Sequence, residues 1–226
     1  MVSFCPPSMA GVVISGTRVI YPSQVREITV QVSNVGDTPS LVQAWIDGGN
    51  PEQTAENSDA PFLLTPPIAR VEAGRSQALR VIFTGADLPT DRESLFWLNV
   101  LDVAPSPKDT GEEQNYLQVA FRSRIKLFYR PKGLPQDANS APAKLRWSWS
   151  GGKLRIDNPT PYHVTLAEVR AGATSTGRVI EGKGAMVGPN QKLVFDTDES
   201  MNQVSFVTIN DYGGRAESIA NVMVGH

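Results

Sequence analysis

Cysteine is almost missing from this chain of 226 residues, and the single one, Cys5, lies among the first ten. One cysteine excludes an intramolecular disulfide and any metal cluster built on thiolates. It decides neither compartment nor fold for a chain of this size. Histidine is nearly as scarce, with His163 and His226 the two present, and no HExxH motif, nucleophile elbow or phosphate-cradling glycine loop occurs. A carboxylate-pair hydrolase cannot be located among the scattered Asp and Glu residues, so an enzyme reading finds little to stand on. Charge of one sign is lacking too: 21 Lys and Arg against 23 Asp and Glu leave a net charge of −2, too near neutral for a bulk nucleic-acid binder. No run approaches the roughly twenty consecutive apolar residues of a membrane-spanning helix.

What is present is the ordinary balance of a folded chain, 40% hydrophobic and 19% charged. The length suits two domains of about a hundred residues each. Short runs rich in Val, Ile and aromatic residues recur between Gly, Pro, Asn and Asp: VVISGTRVIYP, REITVQVSN, LVQAWID, QALRVIFTG and SLFWLNVLDV. None sustains a helical period, and the spacing predicts an all-β fold of antiparallel sandwiches. After Tyr129 the pattern breaks into RPKGLPQDANSAPAK, whose prolines and polar residues read as an interdomain linker. The expected division is therefore residues 11–131, a linker at 132–143, and a second domain at 144–226. MVSFCPPSMA, residues 1–10, lacks a basic start and a full apolar run, yet Ser8-Met9-Ala10 suits a small-residue cleavage site. That segment is read as the remnant of a secretory signal or as a disordered terminus.

The densest signal lies at 115–131, NYLQVAFRSRIKLFYRP. Leu117, Val119, Phe121, Ile125, Leu127 and Tyr129 alternate with Gln118, Arg122, Arg124 and Lys126, which is the period of a β-strand. Such a strand can run to about fifteen residues where five or six are usual. The surplus points to a use beyond its own sheet.

Seven pieces occur in a telling order: TRVIYP (17–22), LVQAWID (41–47), TPPIARVEAG (65–74), LPTDRESLFWLNV (88–100), RIKLFYRP (124–131), NPTPYHVT (158–165) and INDYGG (209–214). Together, from about Gly11 to Gly214, they resemble the PapD-like periplasmic chaperones of chaperone–usher pilus assembly. The resemblance implies two immunoglobulin-like sandwich domains in an angled, two-lobed molecule. It also implies a periplasmic protein without cofactor or catalytic chemistry. Its partners would be pilin subunits and an adhesin, received by donor-strand complementation and passed to an outer-membrane usher.

Residue by residue, the resemblance assigns Leu117, Val119 and Phe121 to the donor strand, and Arg18 and Lys126 to the grip on the subunit's terminal carboxylate. Glu93, Arg130 and Asp211 match a charge network across the domain interface. Leu41, Gln43, Thr65, Pro66, Pro67 and Ile68 match the usher-binding surface. Strict alternation sets Lys126 on the face opposite Leu117, Val119 and Phe121, so a bulge, twist or kink between Phe121 and Lys126 is expected. The connection at 104–114 is short, as in relatives serving rod-like or complex pili, and the cysteine pair many relatives carry near the end of the second domain is missing from AESIANVMVGH. An exposed donor edge also predicts self-association of the free protein through residues 115–127. The competing reading is a secreted or cytosolic immunoglobulin-like adhesion module, which fold alone would not distinguish.

Overall fold

Alternating apolar residues build both halves. The computed structural model describes residues 11–105, 118–174, 176–182 and 184–225. Cys5, Leu117, the rest of the 1–10 segment and most of the 104–114 connection lie outside the described residues. The remainder divides into two compact units. One runs up to Asp87 and adds Leu95–Tyr129; the other joins Leu88–Ser94 to the chain from Arg130 onward.

The first unit holds β1 (Val12–Ile14), β2 (Arg18–Pro22), β3 (Glu27–Asn34), β4 (Ser40–Asp47), β5 (Phe62–Thr65), β6 (Ile68–Val71), β7 (Ser76–Phe83), β8 (Ser94–Val103) and β9 (Ala120–Arg130). One sheet has the order β1-β3-β7-β5, the other β2-β9-β8-β4-β6. Val30 and Val32 of β3 and Leu79 and Val81 of β7 are buried from the first sheet. Val42, Ala44 and Ile46 of β4, Leu98 and Val100 of β8 and Leu127 of β9 are buried from the second. These are every-other-residue sets, as a half-buried antiparallel strand requires. Pro66 and Pro67 carry the chain from an edge strand of one sheet to an edge strand of the other, where a missing N–H costs no ladder bond. The Thr65–Pro66 peptide is cis, and the Pro67 carbonyl accepts the Ala44 amide at 2.8 Å.

The second unit contains β10 (Arg146–Ser150), β11 (Lys153–Asp157), β12 (Val164–Ala171), β13 (Val179–Glu181), β14 (Ala185–Val187), β15 (Lys192–Asp196), β16 (Gln203–Ile209) and β17 (Arg215–Val224). Its strands follow β13-β12-β16-β17-β10-β11-β15, with β14 also on β12. β17 pairs antiparallel with β16 along Arg215–Asn221 and then parallel with β10 through Val222–Val224, so one strand serves both layers. Gly151 and Gly152, with φ of 56° and 76°, form the two-residue turn of the β10–β11 hairpin. Two successive positive φ values suit the right-handed twist of the flanking strands and favour glycine. Trp147 and Phe206 meet across the core at 5.0 Å between ring centroids.

Two boundaries differ from the sequence expectation. Residues 132–143, read as a linker, group with the second unit. Ala138–Lys144 forms a 3-10 turn, and Ala141, 1% exposed, packs into that unit's core with Leu134 beside it. The prolines that resemble a flexible connector here shape a packed segment. Leu88–Ser94 also leaves the unit it adjoins in sequence and joins the other.

Candidate functional site

β9 outruns its neighbour. β2 has five residues and β9 eleven, so among the described residues β9 runs beyond its β2 neighbour. The contacts that join the two strands gather at the far end: the Tyr21 and Tyr129 rings stack at 5.8 Å, and the Arg18 guanidinium sits 5.9 Å from the Phe128 ring. Among the described residues, the stretch of β9 that outruns β2 therefore lies at its start. Phe121 is 57% exposed there, and Val119, just ahead of the strand, 44%. The same alternating set turns inward further along, where Leu127 is fully buried.

Arg18 on β2 and Lys126 on β9 occupy adjacent strands of one sheet. Burial, and next the charge of Arg18, lowers the Lys126 ammonium from 10.5 to about 8. Two cations sharing a half-buried place repel one another, which adds to the effect of burial on the ammonium. A bulge, twist or kink is expected between Phe121 and Lys126, and the placement of the side chains does not call for a bulge. β9 is one continuous strand. Arg122 and Arg124 point to the face that carries Trp45, Asp47 and Asn99, and Lys126 lies 5.9 Å from the Trp97 ring on that same face. Alternation persists, so the apolar residues and the cation occupy opposite faces. A partner strand paired along the open edge borders both faces and needs no bulge to reach them.

The back of β9 carries a cluster the sequence did not announce. Asp47 has a fully buried carboxylate that accepts two bonds from Arg124, at 2.6 and 3.0 Å, one from Asn99 at 2.7 Å and the Gly49 amide at 2.8 Å. Burial alone would raise its pKa, but the bonds from Arg124, Asn99 and Gly49 outweigh it and hold the carboxyl below its ordinary value. Arg122 donates twice to Asn99 Oδ1, at 3.0 and 2.8 Å, and to the Pro51 carbonyl at 2.7 Å. Both guanidiniums lie over indoles, Arg122 over Trp45 at 4.8 Å and Arg124 over Trp97 at 4.2 Å. A polar residue inside each of the runs LVQAWID and FWLNV was the available signal, because a buried carboxylate or amide demands partners.

Glu93, Arg130 and Asp211 are in contact. Arg130 donates to Glu93 Oε1 at 2.7 Å and, as a fork, to both Asp211 oxygens at 2.7 and 3.0 Å. Glu93 Oε2 also accepts the His163 amide at 2.8 Å. Burial disfavours the Arg130 charge, yet Asp211 and Glu93 more than restore it, and its pKa stands above the ordinary arginine value. All three residues belong to the second unit, Glu93 through the Leu88–Ser94 segment and Arg130 as the last residue of β9. The motif residues position them. Asn210 caps the INDYGG turn by accepting the Tyr212 and Gly214 amides, presenting Asp211. Buried Asn158 ties the NPTPYHVT loop to the carbonyls of Tyr162 and Gly188, ahead of His163.

Leu41, Gln43 and Ile68 share the outward face of the β4–β6 edge, where Gln43 pairs with Ile68 and Leu41 with Arg70. Leu41 is 49% and Ile68 54% exposed. Thr65, Pro66 and Pro67 lead into β6 beside them.

A sandwich with an open-edged strand, exposed apolar side chains on it and two cations on neighbouring strands defines a strand-lending binding protein. Comparison with known proteins agrees. The model of the pili and flagellar-assembly chaperone, PapD N-terminal domain, matches residues 11–135. That of the pili assembly chaperone PapD, C-terminal domain, matches residues 140–220. The probable fimbrial chaperone YadV of Escherichia coli is 40% identical over 231 residues, 97% of this chain and 93% of that one. The CupB2 chaperone of Pseudomonas aeruginosa has a solved structure with a TM-score of 0.80 and 40% identity, covering 93% of this chain and 100% of that one. SafB of Salmonella enterica, solved in complex with the SafA pilin, has a TM-score of 0.81 and 31% identity, covering 96% and 98%. This chain belongs to the PapD-like family of pilus-assembly chaperones.

Proposed function

We propose that this protein is a periplasmic chaperone that completes unfinished pilin subunits with β9 and hands them to an outer-membrane usher. The observation that carries the reading is the reach of β9 beyond its β2 neighbour, with Phe121 exposed at that end. A pilin lacking its last strand presents the complementary hazard, unpaired amides and carbonyls along an apolar groove. Lending β9 satisfies both. Val119 and Phe121 enter the groove, and Leu117 continues the same alternating set. Each large apolar side chain so buried contributes roughly 1.5–3 kcal/mol, and each new backbone hydrogen bond about 0.5–1.5 kcal/mol.

Arg18 and Lys126 grip the subunit's terminal carboxylate and so fix the register of the inserted strand. Leu41, Gln43, Ile68 and the prolines at 66 and 67 offer the usher an apolar outer face. The adhesin binds as the other subunits do. Function is binding alone, with no covalent step. In the free state, the same open edge is satisfied by a second copy of this chain. Support comes from the family, from the SafB relative solved with a pilin, and from the placement of these residues.

Co-expression with a pilin from the same gene cluster tests the reading. Arg18→Ala and Lys126→Ala should each remove the recoverable complex while leaving soluble chaperone. Undiminished recovery from both variants overturns the proposal.

A further inference from the structure

We propose that Arg122 and Arg124 are positioning residues that hold the lending end of β9 extended and in register before any subunit arrives. This inference rests on the strand-lending reading above and adds a role for the opposite face. A strand with an open edge has ladder bonds on one side only, and its exposed side chains add no packing, so the lending end would ordinarily fray. Here it is pinned from behind. Arg122 follows Phe121 directly and spans three anchors, Asn99, the Pro51 carbonyl and the Trp45 indole. Two residues on, Arg124 locks onto the buried Asp47 by a two-pronged bond and lies over Trp97. Gln118 adds a bond to the Ala104 carbonyl at 2.9 Å.

The anchors are themselves fixed. Asn99 donates to Asp47, Asp47 accepts the Gly49 amide, and Trp45 donates to the Gln53 carbonyl at 3.1 Å. Alternation does the rest: gripping 122 and 124 from one face forces 121 and 123 to the other. The network therefore presents Phe121 at a set height and phase without touching the subunit. Its consequence is kinetic, because a strand ordered in advance has less freedom to lose on pairing.

The test compares wild type with Arg122→Ala, Arg122→Lys and Asp47→Asn. Amide hydrogen exchange on the free chain needs no partner. In Arg122→Ala those amides of 120–124 that are protected in wild type should lose at least tenfold protection while those of β3 and β7 keep theirs. Arg122→Lys keeps the cation over Trp45 and should restore part of that protection. Capture of a denatured pilin from the same gene cluster should slow about tenfold in association for Arg122→Ala, with dissociation nearly unchanged. Asp47→Asn, which weakens the Arg124 anchor, should act in the same direction; if it fails to fold, Arg124→Lys replaces it. Protection lost uniformly across the unit would mark a merely structural role and overturn the proposal. So would unchanged protection at 120–124. Failure of wild type itself to capture the pilin, with the exchange pattern as expected, would instead overturn the strand-lending reading and leave the pinning intact.

Discussion

Removing the Lys126 charge should stabilise the free protein. Burial and the Arg18 charge lower this lysine from 10.5 to about 8, so the folded chain holds the charged form at a cost. The gap corresponds to about 3 kcal/mol as a ceiling, reduced by whatever solvent reaches the half-buried ammonium. The sign follows from proton counts. Below pH 8 the lysine is charged folded and unfolded, and the full cost is present. Between about 8 and 10.5 the unfolded chain binds more protons, so stability rises with pH; above 10.5 the cost has gone. Lys126→Met keeps the apolar stem and discards the charge.

Urea unfolding of both chains at intervals from pH 6.5 to pH 10.5 should show the variant more stable by up to about 3 kcal/mol at the acid end and the two converging at the alkaline end. A variant no more stable than wild type at pH 7, or curves that stay parallel, would refute the argument. The same lysine links capture to pH. A carboxylate beside it restores its ordinary affinity for the proton, so the subunit's dissociation constant should rise about fivefold from pH 8 to pH 9 in wild type and stay flat in Lys126→Met.

Phe121→Asp should leave the stability of the free protein within about 0.5 kcal/mol, since the ring is exposed, while abolishing pilin capture; a large stability loss on thermal or urea unfolding would place the ring in its own core. Arg130→Ala should destabilise the second unit by about 3–5 kcal/mol in urea unfolding, because Glu93 is almost wholly buried. Asp211→Ala should cost distinctly less, since its carboxylate reaches solvent, and equal losses would contradict that ranking. Ile68→Asp should spare the pilin complex and weaken its retention on immobilised usher, and normal retention would remove the β4–β6 edge from the usher surface.

Strands were legible wherever one face is buried, because burial imposes the alternation that a reader of the sequence sees. Val30 and Val32, Leu79 and Val81, Leu98 and Val100 are pairs of this kind. Legibility failed where a partner distant in the chain decides the outcome. Nothing local in LPTDRE reports that Leu88–Ser94 packs with residues beyond Arg130, or that Arg124 spans 77 positions to Asp47. Composition misled at 132–143, since prolines that stiffen a connector equally well shape a turn around a buried alanine.

The expectation of a bulge, twist or kink in β9 rested on a premise that was not needed. It assumed that every residue serving one guest must share one face of the strand. A guest paired along an edge borders both faces, so the apolar set can fill its groove while Lys126 on the other face meets its terminus. Unbroken alternation is then an advantage: Arg122 and Arg124 occupy the face the groove does not use. There they can hold the strand straight without competing for the guest.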